Sequence, residues 1–114
     1  MMLKKGSRAV LLKIYIGESD KYKGKPLYQY LMGFFSENGL YGATVMRGIT
    51  GFGATSRVHT SSILRLSTDL PVIIEVIDSE EMIDKIKPLL EEIIDGGLVT
   101  QEEVEICFYR AKGE

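Results

Sequence analysis

Between residues 9 and 16 the chain alternates, with Val10, Leu12, Ile14 and Ile16 on one side and Ala9, Leu11, Lys13 and Tyr15 on the other. A period of two predicts a strand with one strongly apolar face. Residues 17–24 are polar and bounded by glycine, which predicts a loop leading to a helix start at Lys25-Pro26, where proline suits the first turn. Leu27, Tyr30, Leu31, Phe34 and Phe35 then recur at helical spacing, and Asn38-Gly39 supplies a stop. Residues 43–47 are β-prone and short. Residues 70–77 are apolar on both faces for most of their length, as in a central strand, with Pro71 admissible only at its beginning. Residues 61–69 are read as an early part of the same arm.

Asp78 is expected to cap the next helix, with Glu81 completing a capping box. Met82, Ile83, Ile86, Leu89, Leu90, Ile93 and Ile94 form its apolar stripe, and Pro88 predicts a kink or restart near Lys87. The helix should end at Asp95-Gly96-Gly97. Residues 98–99 and 104–109 supply the last strand material, with Gln101-Glu102-Glu103 expected as a turn or bulge. The order strand, helix, strand, strand, helix, strand predicts an α+β, ferredoxin-like βαββαβ sandwich: a four-stranded antiparallel sheet with two helices on one face. The other face carries Leu11, Tyr15, Ile73 and Ile77, too apolar to leave in water, so oligomerisation is expected to cover it.

With 114 residues the chain suits a single domain spanning 1–114. A formal charge of −2 supplies no general field for nucleic acid or acidic membranes. The apolar runs are too short for a membrane span, and the lysines near the start precede no apolar leader, so a cytoplasmic protein without membrane insertion is expected. Cys107 is the sole cysteine, which excludes an intrachain disulfide or a cysteine metal cluster, and its alternating run suggests a small buried hydrophobe.

Chemistry concentrates in residues 47–59, where Gly48, Gly51 and Gly53 stand close together with Arg47, Arg57 and His59 nearby. The glycine order is wrong for a dinucleotide fingerprint. Gly48-Ile49-Thr50-Gly51 matches the loop that clamps RNA backbone in KH domains, but that loop joins two helices and here a strand leads in. Two readings stay open: a nest of backbone N–H groups for phosphate, aided by Arg47 and Arg57, or a hairpin between strands. His59 has no spaced partner for metal or catalysis, and Glu80-Glu81 and Glu91-Glu92 are adjacent helix residues that do not face one another. No catalytic residue, metal site or cofactor is expected.

The Gly-Phe-Gly loop, the long return arm and the Gly96-Gly97 turn resemble the PII signal-transduction proteins. More narrowly, residues 16–20 (Ile-Gly-Glu-Ser-Asp), 23–28 (Lys-Gly-Lys-Pro-Leu-Tyr), 42–48 (Gly-Ala-Thr-Val-Met-Arg-Gly) and 69–72 (Asp-Leu-Pro-Val) resemble the PII-like domain-of-unknown-function 190 family. The resemblance implies a homotrimer with its sheets facing inward and a regulatory ligand, an adenine nucleotide, in the clefts between subunits. By position, Arg47, Gly51, Phe52, Gly53, Gly96, Gly97 and Arg110 would form the ligand site, with Lys112 beside the last. Thr55, Arg57 and His59, on the loop at 49–62, would meet a regulated partner, a membrane transporter or a metabolic enzyme. PII proteins place a lysine in the turn after the second helix, whereas residues 95–101 carry none and add Asp95; the loop is also shorter and lacks the modifiable tyrosine. Triphosphate binding and uridylylation are therefore not expected, and an assembly protein without a small ligand is the alternative reading.

Overall fold

The alternation around residue 12 becomes β1 (Arg8–Gly17), with Val10, Leu12, Ile14 and Ile16 buried and Leu11 and Lys13 half-buried on the opposite side. The structure, a computed structural model, describes residues 5–51, the backbone of 59–60, and residues 69–113. The rest of the expected arm, residues 61–68, lies outside the described residues. After β1 the loop contains a small hairpin absent from the expectation, β2 (Lys21–Tyr22) and β3 (Lys25–Pro26), closed by Lys23 and Gly24 with φ of 51° and 81°. Both central residues at positive φ give the turn type whose twist matches a two-residue hairpin. Tyr22 leans its ring on Tyr30, centroids 4.5 Å apart, so the hairpin is seated on the following helix.

That helix, α1 (Leu27–Glu37), starts just past the expected Lys25-Pro26, because Pro26 is held extended at ψ 131° by pairing with Lys21, and the Leu27 amide donates to the Asp20 carbonyl at 2.7 Å. It closes with a Schellman pattern: Gly39, at φ 80°, donates to Ser36 and Leu40 donates to Phe35. The chain continues through β4 (Ala43–Arg47), β5 (Thr50–Gly51), β6 (His59–Thr60), β7 (Pro71–Asp78), α2 (Glu80–Ile93) and β8 (Leu98–Glu105). Strands β4, β7, β1 and β8 lie side by side in that order, all antiparallel, which is the ferredoxin-like arrangement; β5 and β6 form a separate short ladder. Both helices cover one face. Leu27, Leu31 and Phe35 from α1 and Ile83, Ile86, Leu90 and Ile93 from α2 join the inward residues of β1 and β7 in one core, each fully buried side chain contributing on the order of 1.5–3 kcal/mol.

Four local expectations are corrected. The cap of α2 is Ser79, whose hydroxyl accepts from the Met82 amide, while Asp78 ends β7 and is buried. Met82 therefore occupies the third helical position, so Glu81 completes no capping box. The helix runs unbroken through Pro88, without a restart, because Pro88 is exposed and water can serve the carbonyl its missing N–H abandons. Strand β8 is continuous through Gln101, Glu102 and Glu103, each in register with β1. An edge strand exposes both faces toward its outer side, and its polar run hid the ladder. Finally, Cys107 lies beyond β8 and is exposed.

Candidate functional site

Three of the four segments that carry the family resemblance meet in space at one end of the sheet, and the fourth is tied to them through the Leu27 amide on the Asp20 carbonyl. Register places Gly17, the end of β1, opposite Pro71, the start of β7. The next residues turn sharply: the Gly17 amide donates to Asp20 Oδ2 at 2.9 Å, the Glu18 amide to the Leu70 carbonyl at 2.8 Å, and the Ser19 amide to Asp69 Oδ1 at 2.8 Å. From the adjoining edge, Arg47 at the end of β4 forms an ion pair with Glu18, and the Gly48 amide donates to the Pro71 carbonyl at 2.7 Å. Segments 16–20, 42–48 and 69–72 thus form a single cluster.

Pro71 explains two of the glycines. A Cβ on Gly48 would lie 2.7 Å from Pro71 Cγ and one on Gly51 would lie 3.0 Å from it, so the hairpin base can settle on the proline ring only without side chains. From this seat the chain enters β5, where Thr50 pairs with Thr60 and Gly51 with His59. The hairpin reading of the glycine loop therefore describes its base. Phe52, Gly53, Thr55 and Arg57 lie outside the described residues, and His59 is described by its backbone pairing alone.

Gly96 and Gly97 stand at the same end of the sheet but at the opposite edge, since Leu98 opens β8 across from Tyr15. Gly97 has φ 152°, and a Cβ there would fall 2.7 Å from the Tyr15 carbonyl oxygen, so glycine is required by the backbone; around Gly96 the space is open. Three strand spacings separate this turn from the β4 edge, roughly 14 Å. Within one chain the Gly96-Gly97 turn and the Gly48–Gly51 base do not meet. Arg110 is farther still, because β8 runs away from this end and the tail after it packs at the other, where Tyr109 lies against Tyr41 with centroids 5.3 Å apart. There the Arg110 guanidinium sits over the Phe108 ring at 4.6 Å. A single chain thus gathers Arg47 and Gly51 and leaves Gly96, Gly97 and Arg110 in two other places.

Chemically, the cluster presents one guanidinium beside carboxylates that are already engaged. Asp20 and Asp69 accept backbone donors, and Glu18 takes one side of Arg47, whose side chain is 61% exposed. A guanidinium has five N–H donors, so Arg47 keeps several for an anion or a carbonyl. Glu18, Asp69 and Pro71 were not singled out from sequence; the available signal was that their segments carry the family resemblance. A hollow lined by Gly39, Tyr41, Asp78 and Met82 lies at the other end, and at about 80 Å³ it is too small for a nucleotide. Among the described residues no group of three or more His, Cys, Asp and Glu is placed to hold a metal ion, and no helix is long and apolar enough to cross a membrane.

Comparison with known proteins gives the chain a family and a fold. The model of the DUF190 family, described as uncharacterized ACR, matches residues 9–106. A UPF0166 protein of Aquifex aeolicus is 44% identical over 100 residues, covering 86% of this chain and 92% of its own length. A UPF0166 protein of Methanocaldococcus jannaschii is 44% identical over 93 residues, covering 81% of this chain and 85% of its own. Among solved structures, CPII of Thiomonas intermedia K12, described as a nitrogen regulatory PII-like protein bound to ADP, AMP and bicarbonate, aligns with a TM-score of 0.61. The alignment covers 90% of this chain and 91% of that one at 16% identity, a likeness of fold. The chain belongs to the DUF190 family, and its fold is that of the PII-like proteins.

Proposed function

We propose that this protein is a non-enzymatic PII-like regulator, a cytoplasmic homotrimer without a cofactor. It senses a small ligand, an adenine nucleotide, in clefts between its subunits. The observation that carries this reading is the separation of the two glycine turns: they share one end of the sheet but occupy opposite edges, so a site using both needs a second copy to bring the Gly96-Gly97 turn of one to the Arg47–Gly51 base of another. Arg110 would likewise join from a neighbouring copy. Relatives in fold were solved with ADP, AMP and bicarbonate bound, which supports a nucleotide of low charge as the first ligand to try. Binding would favour one arrangement of the hairpin at 49–62 by differential affinity, and that hairpin would report to a partner, a membrane transporter or a metabolic enzyme.

A second reading, an assembly protein without a small ligand, is favoured by the pairing of Arg47 with Glu18 and by the acid and missing lysine of residues 95–101. Thermal shift with AMP, ADP, ATP and cyclic AMP, each with and without bicarbonate, separates the two. A ligand at a hundred times its dissociation constant raises stability by about 2.7 kcal/mol. Under the first reading AMP or ADP gives that rise and Arg47→Ala weakens it at least about tenfold, a loss of one charge-assisted contact. A melting curve that no nucleotide moves selects the second.

A further inference from the structure

The open face of the sheet is banded. On one side of it run Met46, Ile73, Tyr15 and Leu98, each in register with the next, and on the other Ile77 pairs with Leu11. Met46 is 38% exposed, Tyr15 36%, Ile77 37% and Leu98 57%, so a substantial apolar surface faces outward. Between the bands lies a polar belt across all four strands: Thr44 opposite Glu75, Glu75 opposite Lys13, and Lys13 opposite Thr100. Lys13 and Glu75 belong to the two central strands and are both half-buried. Among the described residues, neither side chain enters an ion pair or hydrogen bond, although exposed pairs such as Arg8–Glu103 and Lys87–Asp84 are made elsewhere.

A lysine and a glutamate that stand opposite one another on an apolar face without pairing are costly to cover unless each finds a counter-charge, because desolvation of an unpaired ion outweighs the apolar gain around it. A second copy of this chain brings both signs at the same height. We propose that the Lys13–Glu75 belt is the specificity element of self-assembly, Lys13 of one copy meeting Glu75 of the next. This rests on the homotrimeric reading above. In a cyclic assembly such a head-to-tail contact repeats at every junction and closes the ring. The apolar bands supply area, and the belt selects the register and rejects surfaces that lack it.

Light scattering on the full chain at micromolar concentration is the test, with Lys13→Glu, Glu75→Lys and the milder Lys13→Met, circular dichroism confirming that each is folded. Wild type is expected at three chain masses. Each variant is expected to need at least about a hundredfold higher concentration to assemble, the loss reported for breaking a desolvated charge pair. Lys13→Met introduces no repulsion within the chain, so it decides the matter if a reversal fails to fold. Mixing isotope-labelled Lys13→Glu with Glu75→Lys is expected to restore trimers containing both chains, seen by native mass spectrometry, since two of the three junctions in a mixed ring are then complementary.

Variants that assemble like wild type would overturn the belt and leave the trimer standing. Dissociated variants that fail to recover on mixing would place the pairing within one chain and also overturn it. Monomeric wild type would remove the trimer itself and with it the belt, leaving the face for a partner of another sequence.

Discussion

One end of the sheet is fastened by a single buried carboxylate, and the other by close backbone approach at three glycines alongside more exposed polar bonds. At the far end Asp78 is 2% exposed, accepting the Tyr41 amide at 2.9 Å with one carboxylate oxygen and the Ser79 amide at 2.7 Å with the other. One residue thus joins the strand end, the helix entry and the approach to β4. At the near end Gly48 and Gly51 lie on Pro71, and Gly97 lies on the Tyr15 carbonyl, contacts of shape in which the backbone itself makes the approach. The turn amides of residues 17–20 at the near end are all bonded as well, so what that end leaves over is the exposed guanidinium of Arg47, held on one side only by Glu18.

The sharpest way to break this contrast is Gly97→Ala. It would place a methyl 2.7 Å from a backbone oxygen at φ 152°, so neither partner can yield. A loss of about 3–4 kcal/mol is expected in denaturant unfolding; a loss under about 1 kcal/mol would show that the turn relaxes and that shape does not fasten this edge. Asp78→Ala should cost about 3 kcal/mol, because two part-buried amides lose a charged acceptor. Asp78→Asn, which keeps one acceptor oxygen, should recover roughly half of it.

Gly48→Ala is expected to cost about 1–3 kcal/mol through overpacking on Pro71, and Pro71→Ala in the same chain should return most of that. Additive losses in that double variant would mean that the ring does not seat the hairpin. The smallest effect belongs to the exposed pair: Arg47→Ala should change stability by less than about 1 kcal/mol. A larger fall would show that the near end too is held by charge.

How much of this could be read from the chain follows from the same contrast. Strands β1 and β7 each lay one face against the core, so their periodicity shows plainly, and the end of α1 is set by Gly39 for reasons local to that residue. Strand β8 is hidden in the sequence because Gln101 and Glu103, on the helix side opposite Leu12 and Val10, stay exposed and polar. The cap moved by one residue because burial claimed Asp78, a tertiary event that local capping rules do not contain. At the site, Gly48, Gly51 and Arg47 stood out as residue types, but Pro71 and Glu18, which hold them, are distant in sequence and ordinary in kind. Their roles come from register, which only the paired sheet supplies. The glycine loop's hydroxyl and basic residues, Thr55 and Arg57, lie outside the described residues.

Strand β7 has a consequence for how the protein opens. Its first residue, Pro71, receives the Gly48 amide, and its last, Asp78, receives those of Tyr41 and Ser79. Three protons from three different segments therefore depend on one central strand bonded on both sides. In native-state hydrogen exchange the amides of Tyr41, Gly48 and Ser79 should be released together, in the slow cooperative unit of the sheet centre, although each belongs to a turn.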